Sequence, residues 1–372
     1  MQQDFRIPFV NLTRQYAQLR QEIWQEIEQA WQQGDFTGGK AVRRFEQSFA
    51  DFLQYPSGKL LALNNGTSAL HLALLALGIG PGDEVLLPTH TYIATAWAVS
   101  YVGAKPVFVE IAPHTWTICP QAAAAAITPR TKALIAVHLY GQPCDMAALQ
   151  EICKENGLWL VEDASQAHGA LYEGKVVGTW GDMGTFSFYP SKNLGTYGEG
   201  GAVVCKNEKQ AALIAQLRNQ GASQKYHHEI LGYNMRLGTA EAAVLLVKLR
   251  YLANWNVRRQ QLAERYREAL TLPELRFQAA LPQSQSVYHL FVIRHPRRDA
   301  LRSYLAEQGI ETGLHYPIPC HLQEAYKDLG YRKGAFPQSE ALAQELLSLP
   351  MFPELSNKEQ DFVIDKINNF EK

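Results

Sequence analysis

Lys192 lies in the stretch SFYPSKNLGTYGEGG, between aromatic residues and a run of glycines. A lysine there is either a loop residue whose head reaches water or an amine used as a nucleophile. Upstream, Asp163 closes the apolar run LWLVED. It reads either as a turn or cap residue, or as a carboxylate at the sheet edge where open α/β folds bind ligands. An amine and a carboxylate at neighbouring strand ends are the two groups that a pyridoxal phosphate site requires. The lysine forms a Schiff base, and the acid keeps the pyridine nitrogen protonated. On spacing alone, an ion pair or two unrelated surface residues fits equally. A third signal is NNGTSALHLAL, where Gly66, Thr67 and Ser68 stand at the entrance to a helix. Free N–H groups and hydroxyls at that position suit a phosphate, or Thr67 or Ser68 simply caps the helix.

The elements that must carry these groups are legible as alternation. Helix-like GTSALHLALLALGI, TYIATAWAVSYVG and DMAALQEICKENG are interleaved with strand-like EVLLP, KPVFVEI, KALIAVHLY and LWLVEDAS. Continuous apolar strands separated by helices predict an α/β fold with a mostly parallel sheet covered on both faces. GTFSFY and GAVVCK follow, joined by the Lys192 stretch. Beyond Gly221 the texture changes. The segment TAEAAVLLVKLRYLANWNVRRQQLAERYREAL predicts one long helix leaving the first unit. YHLFVIRH, RDALRSYLAEQGI and ETGLHYPIP predict a smaller α+β unit with its own sheet, His315 and Tyr316 being strand residues by default. The expected division is 1–245 for a large unit with an N-terminal helix and 246–372 for a small C-terminal unit.

Composition narrows the class. A chain of 372 residues with net charge −1 gives no electrostatic reason to expect nucleic acid or an anionic membrane as partner. Its apolar runs are too short to span a bilayer, and no secretory signal opens it. Five scattered cysteines without C-x-x-C spacing predict reduced thiols in a cytoplasmic protein and no metal site.

Six blocks, NNGTSALHLALLALGIGPGDEVLLPTHTYIAT, VHLYGQPCDM, VEDASQAHGA, SFYPSKNLGTYGEGGAVV, YHHEILGYNMRL and HYPIP, together resemble the DegT/StrS family of sugar aminotransferases. The resemblance implies the aspartate-aminotransferase fold, with pyridoxal 5′-phosphate as cofactor and pyridoxamine phosphate as its aminated form. Lys192 then matches the Schiff-base lysine and Asp163 the acid paired with the pyridine nitrogen, and these two are the expected catalytic residues. Gln166 matches the residue beside the phenolic oxygen, and Tyr92 the ring stacked on the pyridine. Gly66, Thr67, Ser68 and Ser187 match the phosphate cradle. Asn234 matches an asparagine that reaches the neighbouring subunit's cofactor, which implies a homodimer with shared active sites. His168, Tyr189, Arg236, His315 and Tyr316 are the implied sugar contacts.

By the same resemblance the reaction is a ping-pong transamination of a nucleotide-linked keto-sugar with glutamate as amino donor, in amino-sugar biosynthesis. HLYGQ and SQAHG are similar to members that aminate C3, which makes a dTDP-3-keto-6-deoxyhexose the first expectation. KYHH, NMRL and HYPIP also resemble enzymes of UDP-linked 3-keto hexuronates, where Arg236 would meet a carboxylate. A 4-keto-sugar enzyme and a non-catalytic pyridoxal-binding regulator are the further alternatives. Two positions depart from the family pattern. Gly238 stands where an Asp is usual, which removes a helix cap. Gly39 stands where a Pro is usual, which predicts a looser loop.

Overall fold

The computed structural model describes residues 6–56 and 59–370. Seven strands form the main sheet: β1 (Leu60–Leu63), β2 (Glu84–Pro88), β3 (Lys105–Val109), β4 (Thr131–Val137), β5 (Trp159–Asp163), β6 (Met183–Ser187) and β7 (Gly201–Cys205). Their order is β1-β7-β6-β5-β4-β2-β3, and β7 alone runs against the others. The apolar runs alternate between two covers, as the period of two in a strand dictates. Leu86, Leu134, Ala136 and Leu160 join Phe45 and Phe49 of α2 (Lys40–Phe52) on one face. Val85, Leu87, Ala133, Ile135 and Val161 meet α3 (Gly66–Ala76) and α4 (Ala94–Tyr101) on the other. β5 and β6 are parallel neighbours in register, Asp163 facing Thr185, so their carboxyl ends open on the same edge.

A second sheet, β8 (Arg276–Phe277), β9 (Phe291–Arg294) and β10 (Leu346–Leu349), is antiparallel in the order β8-β9-β10. It shares a core with α7 (Leu252–Ala269), α8 (Arg298–Glu307) and α9 (Asn357–Asn368) through Leu262, Tyr266, Phe291, Leu301 and Val363. The N-terminal α1 (Leu12–Gln32) packs Leu19, Ile23 and Ile27 on Ala243, Val244 and Val247 of α6 (Thr239–Leu249). The intervening α5 is Met146–Asn156.

Three expectations need correction. The single helix expected across 239–270 is two, α6 and α7, parted at Arg250 and Tyr251. Both residues bond to Glu22 of α1, which holds the chain at the break. The expected division after residue 245 therefore falls inside α6. The HYPIP segment is irregular and not a strand: beside β10 only Gly313 bridges to Ser348. Pro317 and Pro319 have no N–H with which to extend the ladder. Third, the loop expected to be loosened by Gly39 is tied down. Asp35 lies against Gly39 where a side chain would stand, accepting the Ala41 N–H at 2.8 Å and the Thr239 hydroxyl at 3.0 Å. Gly238 leaves α6 without a side-chain cap, and Glu241 fills the adjoining space.

Beneath the open edge lies Glu162, wholly buried. Its carboxylate accepts the N–H groups of Gly178 (2.7 Å), Trp180 (2.6 Å) and Gly181 (2.8 Å). His138 Nε2 adds a fourth donor at 3.0 Å, its tautomer fixed because Nδ1 accepts the Cys144 N–H. Four donors suit a carboxylate, whereas an amide would turn its own N–H groups against them. Glu162→Gln should therefore lower stability by about 2–4 kcal/mol, read as a reduced urea midpoint. An unchanged midpoint would count against this support.

Candidate active site

Asp163 ends β5 and is buried, with both oxygens engaged. The Thr95 hydroxyl donates to Oδ2 at 2.9 Å, and the Ser165 N–H donates to Oδ1 at 3.2 Å. Thr91 Oγ1 lies 3.2 Å from Thr95 Oγ1 and steadies that hydroxyl. Lys192 follows β6 in a tight turn where its own N–H donates to the Tyr189 carbonyl. Among the described residues its amine makes no hydrogen bond or ion pair. Burial pulls its pKa down to about 8, against the opposing attraction of Asp163. The cost of burying an ammonium thus leaves this lysine neutral in part near physiological pH.

The loop that holds Lys192 is anchored on two sides. Lys248, buried in α6, donates to the Gly195 carbonyl at 2.7 Å, and its Nζ lies 3.9 Å from the Tyr197 ring centroid. Asn193 donates to Asn256 Oδ1 at 2.9 Å and to the Val287 carbonyl at 3.0 Å. Gly195 is pressed against the Tyr189 and Pro190 carbonyls, where a Cβ would lie 2.5 Å from each oxygen.

Both groups line one cavity of about 760 Å³. At its floor α3 begins at Gly66, with Asn65 as the cap: Asn65 Oδ1 accepts the Ser68 N–H at 2.7 Å. The cap is therefore neither Thr67 nor Ser68, whose hydroxyls bond to no protein group among the described residues. Gly66 faces Ser187 so closely that a Cβ would lie 2.7 Å from the serine Cβ. The N–H groups of Gly66 and Thr67, at the start of the helix, have no acceptor within it, and both residues line the cavity. Gln166 accepts the Tyr140 N–H at 2.7 Å and donates to the Tyr316 hydroxyl at 3.0 Å. Tyr92, half-exposed in the loop before α4 and not in the helix, packs its ring 5.6 Å from that of Tyr316. Tyr189 and His315 complete the wall; His315 Nδ1 meets Ser348 Oγ at 2.9 Å, and the imidazole stacks on Phe9.

Three of the sequence-predicted residues do not line this cavity. His168 is a correction. It is fully buried among Phe49, Phe186 and Phe188, and burial, aided by the Lys192 charge, pushes it down to about 3. The turn closed by the Ala167 N–H on the Ala164 carbonyl sends it behind β6, away from the opening. Arg236 donates to Asn219 Oδ1 at 3.1 Å, outside the cavity of its own chain. Asn234 is exposed and bridges to Asn219. The sequence reading missed Thr95, Asn65, Tyr140 and the buried cavity residue His289, whose Nδ1 has no partner.

These residues fit pyridoxal phosphate. The unclaimed hydroxyls of Thr67 and Ser68, with Ser187 and the start of α3, suit a phosphate. Asp163 suits a protonated ring nitrogen, and the unpaired Lys192 amine suits an aldehyde.

Known proteins resemble this chain along almost all of its length. The sequence model of the DegT/DnrJ/EryC1/StrS aminotransferase family matches residues 17–368. Over 98% of this chain and 98% of the relative, it is 42% identical to the pleiotropic regulatory protein of Geobacillus stearothermophilus. It is 44% identical to dTDP-3-amino-3,4,6-trideoxy-alpha-D-glucose transaminase of Streptomyces venezuelae, over 98% of this chain and 96% of that one. The crystal structure of S. venezuelae DesV with a ketimine intermediate superposes with a TM-score of 0.96 at 44% identity, covering 99% of both chains. NtdA from Bacillus subtilis, solved with bound cofactor PMP, superposes with a TM-score of 0.89 at 31% identity, over 98% of this chain and 85% of that one.

The lowered Lys192 pKa has a direct readout in the cofactor-free protein. A neutral amine reacts with an acylating reagent and an ammonium does not. Labelling of Lys192, followed by peptide mass spectrometry, should rise through about pH 8. A rise only near pH 10.5, the ordinary lysine value, would contradict the burial argument.

Proposed function

This chain is a pyridoxal-phosphate-dependent aminotransferase of the DegT/DnrJ/EryC1/StrS family, and we propose that it aminates C3 of a dTDP-linked 3-keto-6-deoxyhexose with glutamate as donor. The observation that carries the reaction type is the unpaired Lys192 amine sharing one cavity with Asp163. The 44% identity to a dTDP-3-amino-sugar transaminase supports the sugar and the position. A functional amine at Lys192 also speaks for an enzyme over a regulator that merely retained the fold.

When bound, pyridoxal phosphate supplies an electron sink for the pair left behind as a substrate carbon loses its proton. The protein's part is binding, orientation and proton movement. Thr67, Ser68 and Ser187 would hold the phosphate, and Tyr92 would pack against the ring. Asp163, fixed by the Thr95 hydroxyl and the Ser165 N–H, would sit against the ring nitrogen and favour its protonated form. Gln166 is turned by Tyr140 so that its amide nitrogen faces Tyr316. Lys192, already near neutrality, takes the α-proton of glutamate in the first half-reaction. In the second it delivers a proton to the sugar carbon that receives nitrogen.

The same reading includes a homodimer in which Asn234 serves the neighbouring subunit's phosphate. Its exposure beyond its own cavity supports that role. The five unpaired cysteines support a cytoplasmic setting.

Glutamate should bleach the yellow holoenzyme, and mass spectrometry of products from a panel of dTDP- and UDP-linked 3- and 4-keto-sugars should find a dTDP-3-amino sugar. Amination confined to UDP or 4-keto substrates would refute the sugar. Lys192→Ala should retain cofactor but lose turnover by more than about a thousandfold. Asn234→Ala should weaken cofactor affinity about tenfold, and unchanged affinity would remove it from the shared site.

A further inference from the structure

Tyr140, in the HLYGQ stretch, is joined to the cavity from both of its ends. Its backbone N–H donates to Gln166 Oε1 at 2.7 Å, and Gln166 Nε2 donates to the Tyr316 hydroxyl at 3.0 Å. The Tyr140 hydroxyl donates to the carbonyl of His315, the residue preceding Tyr316, so the path closes on itself. His90 Nε2 lies 2.8 Å from the Tyr140 hydroxyl. That hydroxyl has one proton, already given to His315, so His90 must donate from Nε2. Its Nδ1 is then the acceptor, and it is buried with no partner among the described residues.

The closed path has a direction. The Tyr316 hydroxyl accepts from Gln166, which leaves its own proton free for an oxygen in the cavity that it lines. Burial raises the Tyr316 phenol well above its ordinary value, so it remains a donor at neutral pH. Tyr140 is 1% exposed and sits at φ 63°. A bulky residue occupies that left-handed region only when its surroundings enforce it. Without the Tyr140 hydroxyl, the segment that presents Tyr316 would lose its bond at His315 to the turn after β4.

We propose that Tyr140 is a positioning residue: its closed path through Gln166, Tyr316 and the His315 carbonyl holds the Tyr316 phenol as a hydrogen-bond donor to an oxygen of the keto-sugar. The sugar end of this statement rests on the reading given under the proposed function. The holding of the segment does not.

Tyr140→Phe keeps the ring, the backbone and the N–H to Gln166, and removes only the hydroxyl. Hydrogen exchange on the purified protein should then quicken about tenfold across residues 314–318, with β5 and β6 unchanged. In the holoenzyme, single-turnover amination of the sugar should slow about tenfold, with KM for the sugar raised. Bleaching by glutamate should stay within about twofold. Tyr316→Phe should slow the sugar half-reaction as well, and the double variant should fall short of the product of the two. Unchanged exchange across 314–318, or equal slowing of both half-reactions, overturns the proposal. A wild-type enzyme that bleaches with glutamate but aminates no 3-keto-sugar overturns the substrate reading and the sugar end of this one, while the exchange result still decides the rest.

Discussion

An amine and a carboxylate must share one cavity here without neutralising each other. Asp163 is spoken for by Thr95 and by the Ser165 N–H, so it does not draw Lys192 into an ion pair. Lys192 stands in a turn anchored by Lys248 and Asn193, and burial then disfavours its charged form. A direct ion pair would hold the lysine protonated and useless as a base. The parallel register of β5 and β6 brings the two groups to one edge, and the side-chain bonds keep them apart in function.

The histidines follow the same logic. His90 and His315 are each pushed down to about 4 and His289 well below its ordinary value, burial being the first cause in all three. Neutral imidazoles can orient hydroxyls and carbonyls beside Lys192 without adding cations that would oppose a phosphate-bearing ligand's proton chemistry. These imidazoles therefore contribute hydrogen bonds to the site without contributing positive charge.

Much of the scaffold was readable because its signals are local. Apolar runs such as EVLLP and LWLVED are buried on both faces, and each forms the expected strand. Asp163 was readable as a candidate because it ends such a run and Lys192 because it stands in the glycine-rich loop after one, although only the six-block resemblance separated a Schiff-base lysine from an ion pair. The failures involve choices that spacing does not encode. Thr67, Ser68 and Asn65 can all cap a helix, and which one does so depends on the turn into α3. His168 was assigned to the wrong side of β6, because its direction follows from the turn after Asp163. HYPIP carries two prolines whose missing donors should have demoted it from strand. Thr95 reaches Asp163 across 68 positions and Tyr140 reaches Gln166 across 26, and neither pairing leaves a periodic trace.

The residues ahead of α1 pair with the C-terminal unit. Ile7 exchanges backbone hydrogen bonds with Gly309 and Glu311, the Phe9 N–H donates to Glu311 across 302 positions, and the Phe9 ring stacks on His315. During synthesis Phe9 emerges 302 positions ahead of Glu311. A growing chain can complete the parallel sheet and the Lys192 turn while His315 has yet to be made, since contacts of high sequence separation close late. A ribosome-bound chain stopped short of residue 309 would hold the cavity floor with one wall missing, so the wall built by His315, Tyr316 and Met351 closes late.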